Sequence, residues 1–84
     1  MNNKVLISVE VPSLETSYDI FIPVNRRVHN VIELIKKVCF DLSLREFEME
    51  KQYALYDAVT GNIYDMNALI RNTDIRNGSK VILI

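Results

Sequence analysis

From Lys4 to Val11 the chain alternates. Val5, Ile7, Val9 and Val11 share one side, and Leu6, Ser8 and Glu10 the other. Period two with β-branched residues on the apolar side predicts a half-buried strand. Pro12 ends it, having no amide to donate to a ladder. Residues 13–16 make a polar turn of hairpin length. Residues 17–22 alternate again, with Tyr18, Ile20 and Ile22 inward and Asp19 and Phe21 outward, until Pro23. The two runs predict an antiparallel hairpin.

At residue 28 the period changes. Val28, Val31, Ile32, Ile35, Val38, Cys39 and Leu42 recur at helical spacing and fall within a stripe roughly 120° wide. Residues 28–42 therefore predict an amphipathic helix of about four turns. Glu33, Lys36, Lys37 and Asp41 lie off the stripe. Asn25 is placed to cap its first turn, and Arg26 and Arg27 sit near the positive end of its dipole, without a binding role. Burial of each large apolar side chain contributes about 1.5–3 kcal/mol. A helix of this length is marginal alone in water, so it needs a sheet to lie on.

Residues 44–51, with Glu46, Glu48 and Glu50 two apart, read as a charged, solvated connector. Phe40, off the helix stripe, is expected to pack beneath it. Residues 52–57 predict a third strand. A turn at residues 58–62 uses Gly61 for a positive φ, and residues 63–65 predict a short returning strand. Met66, Leu69 and Ile70 have the spacing of one helical turn. Asn77-Gly78 is a strong turn signal leading into residues 80–84, an almost wholly apolar strand suited to the sheet centre. The order strand, strand, helix, strand, short strand, strand predicts a single domain over residues 1–84. Its class is α+β, with one helix across one face of a mixed four- to five-stranded sheet. The right-handed crossover rule lets the last strand lie parallel to the first.

Composition narrows the chemistry. Ten Lys and Arg oppose eleven Asp and Glu, for a net charge of -1, which gives no reason to expect nucleic acid as partner. One cysteine precludes an internal disulfide and fits a reducing compartment. No apolar run has the length of a membrane span, and the N-terminus reads as a strand, not a signal peptide. A soluble cytoplasmic protein is the expectation. His29 and Cys39, the only residues of their kinds, would stand about 15 Å apart on the helix. Cys39 faces the core and His29 faces solvent, so they form no nucleophile–base pair. Four nitrogen or sulfur ligands for zinc are missing, and two turn glycines make no phosphate loop. Tyr18 and Tyr53 fall on inner faces and read as core. No catalytic residue, cofactor or metal site is expected, and the chain does not read as an enzyme.

The positive signal lies on the outer sheet face. Leu6, Phe21, Ala54 and Ile82 point away from the helix, and Ile84 shares their parity. Together they would make an apolar patch of the kind that marks a partner site. The same face would also support a weak homodimer by sheet stacking.

Two segments carry a family resemblance. Thr60-Gly61-Asn62-Ile63-Tyr64-Asp65, then Ala68-Leu69-Ile70, Asp74-Ile75-Arg76-Asn77-Gly78-Ser79 and Val81-Ile82-Leu83-Ile84 resemble the C-terminal half of ubiquitin-like β-grasp proteins. Tyr18-Asp19-Ile20-Phe21-Ile22-Pro23, leading into Val28-His29-Asn30-Val31-Ile32, is similar to the small bacterial ubiquitin-like proteins YukD and EsaB. The resemblance implies a ubiquitin-like β-grasp fold. It also implies a cytoplasmic accessory or regulatory component of a Gram-positive type VII (WXG, ESX-like) secretion system, with a secretion-system protein as partner. No Gly-Gly follows the last strand of this chain, so the expectation is a non-conjugating interaction module. A sulfur carrier or modifier whose Gly-Gly tail is missing from this chain is the alternative.

Overall fold

A computed structural model describes residues 3–84. Among these residues four strands and one helix follow the order β1 (Lys4–Val11), β2 (Thr16–Pro23), α1 (Val28–Leu42), β3 (Leu55–Asp57) and β4 (Lys80–Leu83). Two 3-10 turns, Pro12–Leu14 and Ile70–Asn72, lie between them. The sheet runs β2-β1-β4-β3. β1 is antiparallel to β2 and parallel to β4, and β3 returns antiparallel to β4. The mixed sheet, the parallel pairing of first and last strands and the helix across one face are as the periodicity predicts.

The two faces of the sheet separate by parity. Ile7, Val9, Val11, Ile20, Ile22, Leu55, Val81 and Leu83 are buried, and so are Val28, Val31, Ile32, Ile35 and Cys39 of the helix stripe. Val38 is half-buried, and Leu42, expected in the stripe, is 55% exposed. It is the last residue of α1.

The helix ends in a Schellman motif. The Arg45 amide donates to the Phe40 carbonyl at 2.8 Å and the Leu44 amide to the Asp41 carbonyl at 3.3 Å. Leu44 (φ 55) and Arg45 (φ 72) occupy the left-handed region usually given to glycine. The next residues are not a solvated connector throughout. The Ser43 hydroxyl accepts the Phe47 amide at 2.9 Å, and Phe47 enters the core at 2% exposure. There it stacks on Tyr53, ring centroids 4.8 Å apart. Phe40 is half-buried against the same core.

The helix start also differs from expectation. Arg27 is the N-cap residue, and no side chain caps it. Main-chain carbonyls from a distant segment do this instead: Val28 N–H donates to Ala68 and His29 N–H to Met66, at 2.9 and 3.0 Å. Asn25 is thereby left exposed with no part in the cap. The capping segment is held by Ile70 N–H on the Arg26 carbonyl and Arg71 N–H on the Val24 carbonyl, both 2.9 Å. Its expected helical turn over residues 66–72 shrinks to Ile70–Asn72, because its carbonyls are engaged by α1.

Residues 63–65 form no strand. A single bridge joins Ile63 to Tyr56, and the Asp65 carboxylate then accepts the Asn67 amide at 2.9 Å, turning the chain away. The expected third strand, residues 52–57, is ladder only from Leu55. Ala54 still exchanges both main-chain bonds with Ile84, at 2.9 and 3.2 Å.

Candidate protein-docking surfaces

The register of the strands maps the outer sheet face. Leu6 lies opposite Phe21, Ser8 opposite both Asp19 and Lys80, Glu10 opposite both Ser17 and Ile82, and Ile82 opposite Tyr56. The apolar residues expected to form one patch therefore form two. Leu6 and Phe21 sit at one end of the β1–β2 pair, 38% and 61% exposed. Ile82, Ile84 and Ala54 sit at the far end of β4 and β3. Between them runs a polar diagonal of Asp19, Ser8, Lys80 and Glu10. Four residue steps along β1 lead from Leu6 to the Glu10 level, a distance of about 13 Å.

The second patch gains members that parity alone did not supply. The bridge to Tyr56 sets Ile63 on the same face, so Ile63, Tyr56 and Ile82 stand abreast. Ala54 and Ile84 form the next row. Ile63 and Ile84 are more than half exposed. Ile82, Ile84, Tyr56, Gly61 and Pro12, with Glu10 at the rim, line a shallow, mostly apolar hollow of about 290 Å³. The missing signal was the partner of residue 63, which fixes its side and is set by the turn at residues 58–62.

Cys39, Tyr53 and Tyr64 are engaged in packing. Burial pushes the Cys39 thiol up to about 11, far from the thiolate that nucleophilic chemistry needs. The Tyr64 phenol donates to the Asp74 carboxylate at 2.9 Å, and burial together with that bond holds its ionisation well above the usual tyrosine range. Tyr53 shifts upward too, through burial and then the nearby Glu48 carboxylate, while its hydroxyl donates to the Glu48 carbonyl at 2.8 Å. Tyr18 is half-buried against the core and His29 is exposed. Among the described residues no His, Cys, Asp and Glu side chains gather into a metal site, and no helix is long and apolar enough to cross a membrane.

No protein-family model matches the chain, and no curated protein is similar to it. Solved structures do match in shape. The ubiquitin-like domain of an Arabidopsis thaliana protein aligns with a TM-score of 0.71 at 18% identity, over 99% of this chain and 78% of that one. The ubiquitin-like domain of EccD5 from Mycobacterium xenopi aligns with a TM-score of 0.72 at 8% identity, over 99% and 94%. A chain of the MycP5-free ESX-5 inner membrane complex aligns with a TM-score of 0.72 at 12% identity; the match spans 99% of this chain and 21% of that larger one. The fold is the ubiquitin-like β-grasp.

Proposed function

We propose that this chain is a ubiquitin-like docking module, a cytoplasmic accessory of a type VII secretion system of the YukD and EsaB kind. The observation that carries the docking role is the cluster of Tyr56, Ile63, Ile82 and Ile84, set apart by polar residues from Leu6 and Phe21 on the same sheet face. Apolar side chains left abreast in water gain by being covered, and a partner protein is what covers them. Likeness in shape to the EccD5 domain and to part of an ESX-5 complex supports secretion as the setting. In this reading the module is a monomer or weak homodimer that docks on a secretion-system component by the Ile82 end of the face, while Leu6 and Phe21 are a separate surface.

The test is co-purification with secretion-system membrane proteins from the native host. An Ile63→Glu/Ile84→Glu double variant, folded by circular dichroism, is expected to lose the component that the unaltered chain retains. A Leu6→Lys/Phe21→Glu variant should retain it. Retention by the first variant, or no secretion component with the unaltered chain, overturns the proposal.

A further inference from the structure

A different surface flanks the start and middle of α1. Lys4, Arg26 and Lys37 line a hollow of about 780 Å³ there, and no Asp or Glu lines it. Arg71 joins them, since its amide donates to the Val24 carbonyl at 2.9 Å. Arg26, Lys37 and Arg71 are exposed, and among the described residues none of the three is in an ion pair. The net charge of -1 conceals this grouping. Asp41, Glu46, Glu48 and Glu50, all exposed, fall at or beyond the last turn of α1, with only Arg45 and Lys51 beside them in sequence.

Two apolar side chains stand among these cations. Phe21 is 61% exposed and Leu34 is 43% exposed, and both line the same hollow. Lys37 lies one helical turn beyond Leu34. The first amides of α1 add nothing to the positive charge. Carbonyls of Ala68 and Met66 hold those of Val28 and His29, and the Arg27 carbonyl holds those of Asn30 and Val31. What remains is side-chain charge ringed around exposed apolar surface.

We infer that this surface seats the molecule on an anionic lipid bilayer, with Arg26, Lys37 and Arg71 on headgroup phosphates and Phe21 and Leu34 between the headgroups. A bilayer is the occupant because it sets a layer of phosphate directly over hydrocarbon, which matches cations set around apolar side chains. Each cation near such a surface adds attraction that fades within a Debye length. The long stems of Arg and Lys keep their charge in the phosphate layer while their methylenes follow Phe21 and Leu34 inward. A nucleic acid would supply the phosphates but no apolar layer to cover Leu34. Ile63, Ile82 and Ile84 take no part, so the inference does not depend on the outer-face reading.

The probe is a vesicle of equal parts phosphatidylglycerol and phosphatidylcholine, sedimented with the full chain at low salt. The chain is expected to sediment with it, to stay in solution with pure phosphatidylcholine vesicles, and to bind more weakly at about 0.5 M salt. Arg26→Glu/Lys37→Glu should weaken binding at least tenfold, and the milder Arg26→Gln/Lys37→Gln should weaken it in the same direction. Phe21→Ser/Leu34→Ser should weaken it at least threefold. Arg45→Glu/Lys51→Glu changes the net charge by the same amount elsewhere and should stay within twofold. Ile63→Ser/Ile84→Ser should also stay within twofold, which separates this surface from the outer sheet face. Circular dichroism checks that each variant is folded. No sedimentation with the anionic vesicles, or equal binding to both vesicles, overturns the inference. So does unchanged binding by Arg26→Glu/Lys37→Glu or Phe21→Ser/Leu34→Ser, or an equal loss with Arg45→Glu/Lys51→Glu or Ile63→Ser/Ile84→Ser. Inorganic phosphate or an RNA oligonucleotide that shifts the Arg26 and Lys37 NMR signals, when the vesicles retain nothing, overturns it as well.

Discussion

The side-chain oxygen of Asn77 accepts the main-chain amide of Leu6 at 2.8 Å, across 71 positions of sequence. Leu6 sits on β1 below the point where pairing with β4 begins at Ser8, so its amide has no strand beside it. Asn77 stands in for that strand, and the Gly78 amide completes the arrangement by donating to the Leu6 carbonyl at 2.8 Å. The Asn77-Gly78 turn is thus an extension of the parallel ladder.

Two substitutions test this. Asn77→Ala should cost about 0.5–1.5 kcal/mol, the usual net value of such a bond. Gly78→Ala should cost about 1 kcal/mol or more, since Gly78 has φ 86 while a Cβ there would meet no neighbour. Urea unfolding with an unchanged m-value measures both.

Phe47→Ala should be among the most damaging single changes in the chain, at about 3–5 kcal/mol. Its ring is buried and stacked on Tyr53. Glu46→Ala and Glu48→Ala on either side, both exposed, should each stay within about 0.5 kcal/mol. A solvated connector would make all three alike in the same unfolding assay.

Leu44→Gly should raise stability by up to about 1 kcal/mol, because φ 55 costs a branched residue what it does not cost glycine. Leu44 is 87% exposed, so little packing is lost. Thermal unfolding should show a higher midpoint than the parent chain.

Alkaline stability should carry the signature of Cys39. Its thiol ionises near 9.0 when unfolded and is raised to about 11 in the folded chain. Between those values the unfolded state has released a proton that the folded state keeps. The stabilisation is full below pH 9 and falls as pH rises, by roughly 2–3 kcal/mol at the upper end. Tyr53 and Tyr64, also raised, add to the fall only above their ordinary value of 10.0. Cys39→Ala should therefore flatten the stability profile between pH 9 and 10 and leave the steeper part in place.

The elements read best from sequence are those whose neighbours in space are also neighbours in pattern. β1 and α1 match in their bounds because each has an unbroken period and a buried face. Phe47 escaped because it and Met49 alternate with glutamates in a short charged run; the Ser43 hydroxyl on the Phe47 amide and the stack on Tyr53 hold Phe47 inward. Asn25 has the right chemistry for a cap, yet the carbonyls of Met66 and Ala68 reach the helix first, and nothing local announces them. Outer-face parity was readable for Leu6, Phe21, Ala54, Ile82 and Ile84. Their division into two groups depends on the offset of β1 against β4, which side-chain alternation leaves open.

The two borders of the sheet are unlike. Along β3 the returning chain covers the border: Asp57 N–H reaches the Asn62 carbonyl and Tyr64 N–H the Leu55 carbonyl, at 2.8 and 2.9 Å. Only β2 is bare. A molecule with one joinable border can be joined once. If two copies meet β2 to β2, each contributes its four strands and the combined sheet terminates in β3 at both ends. Growth stops there, at a closed pair. Pairing of copies through the β2 border is therefore self-limiting.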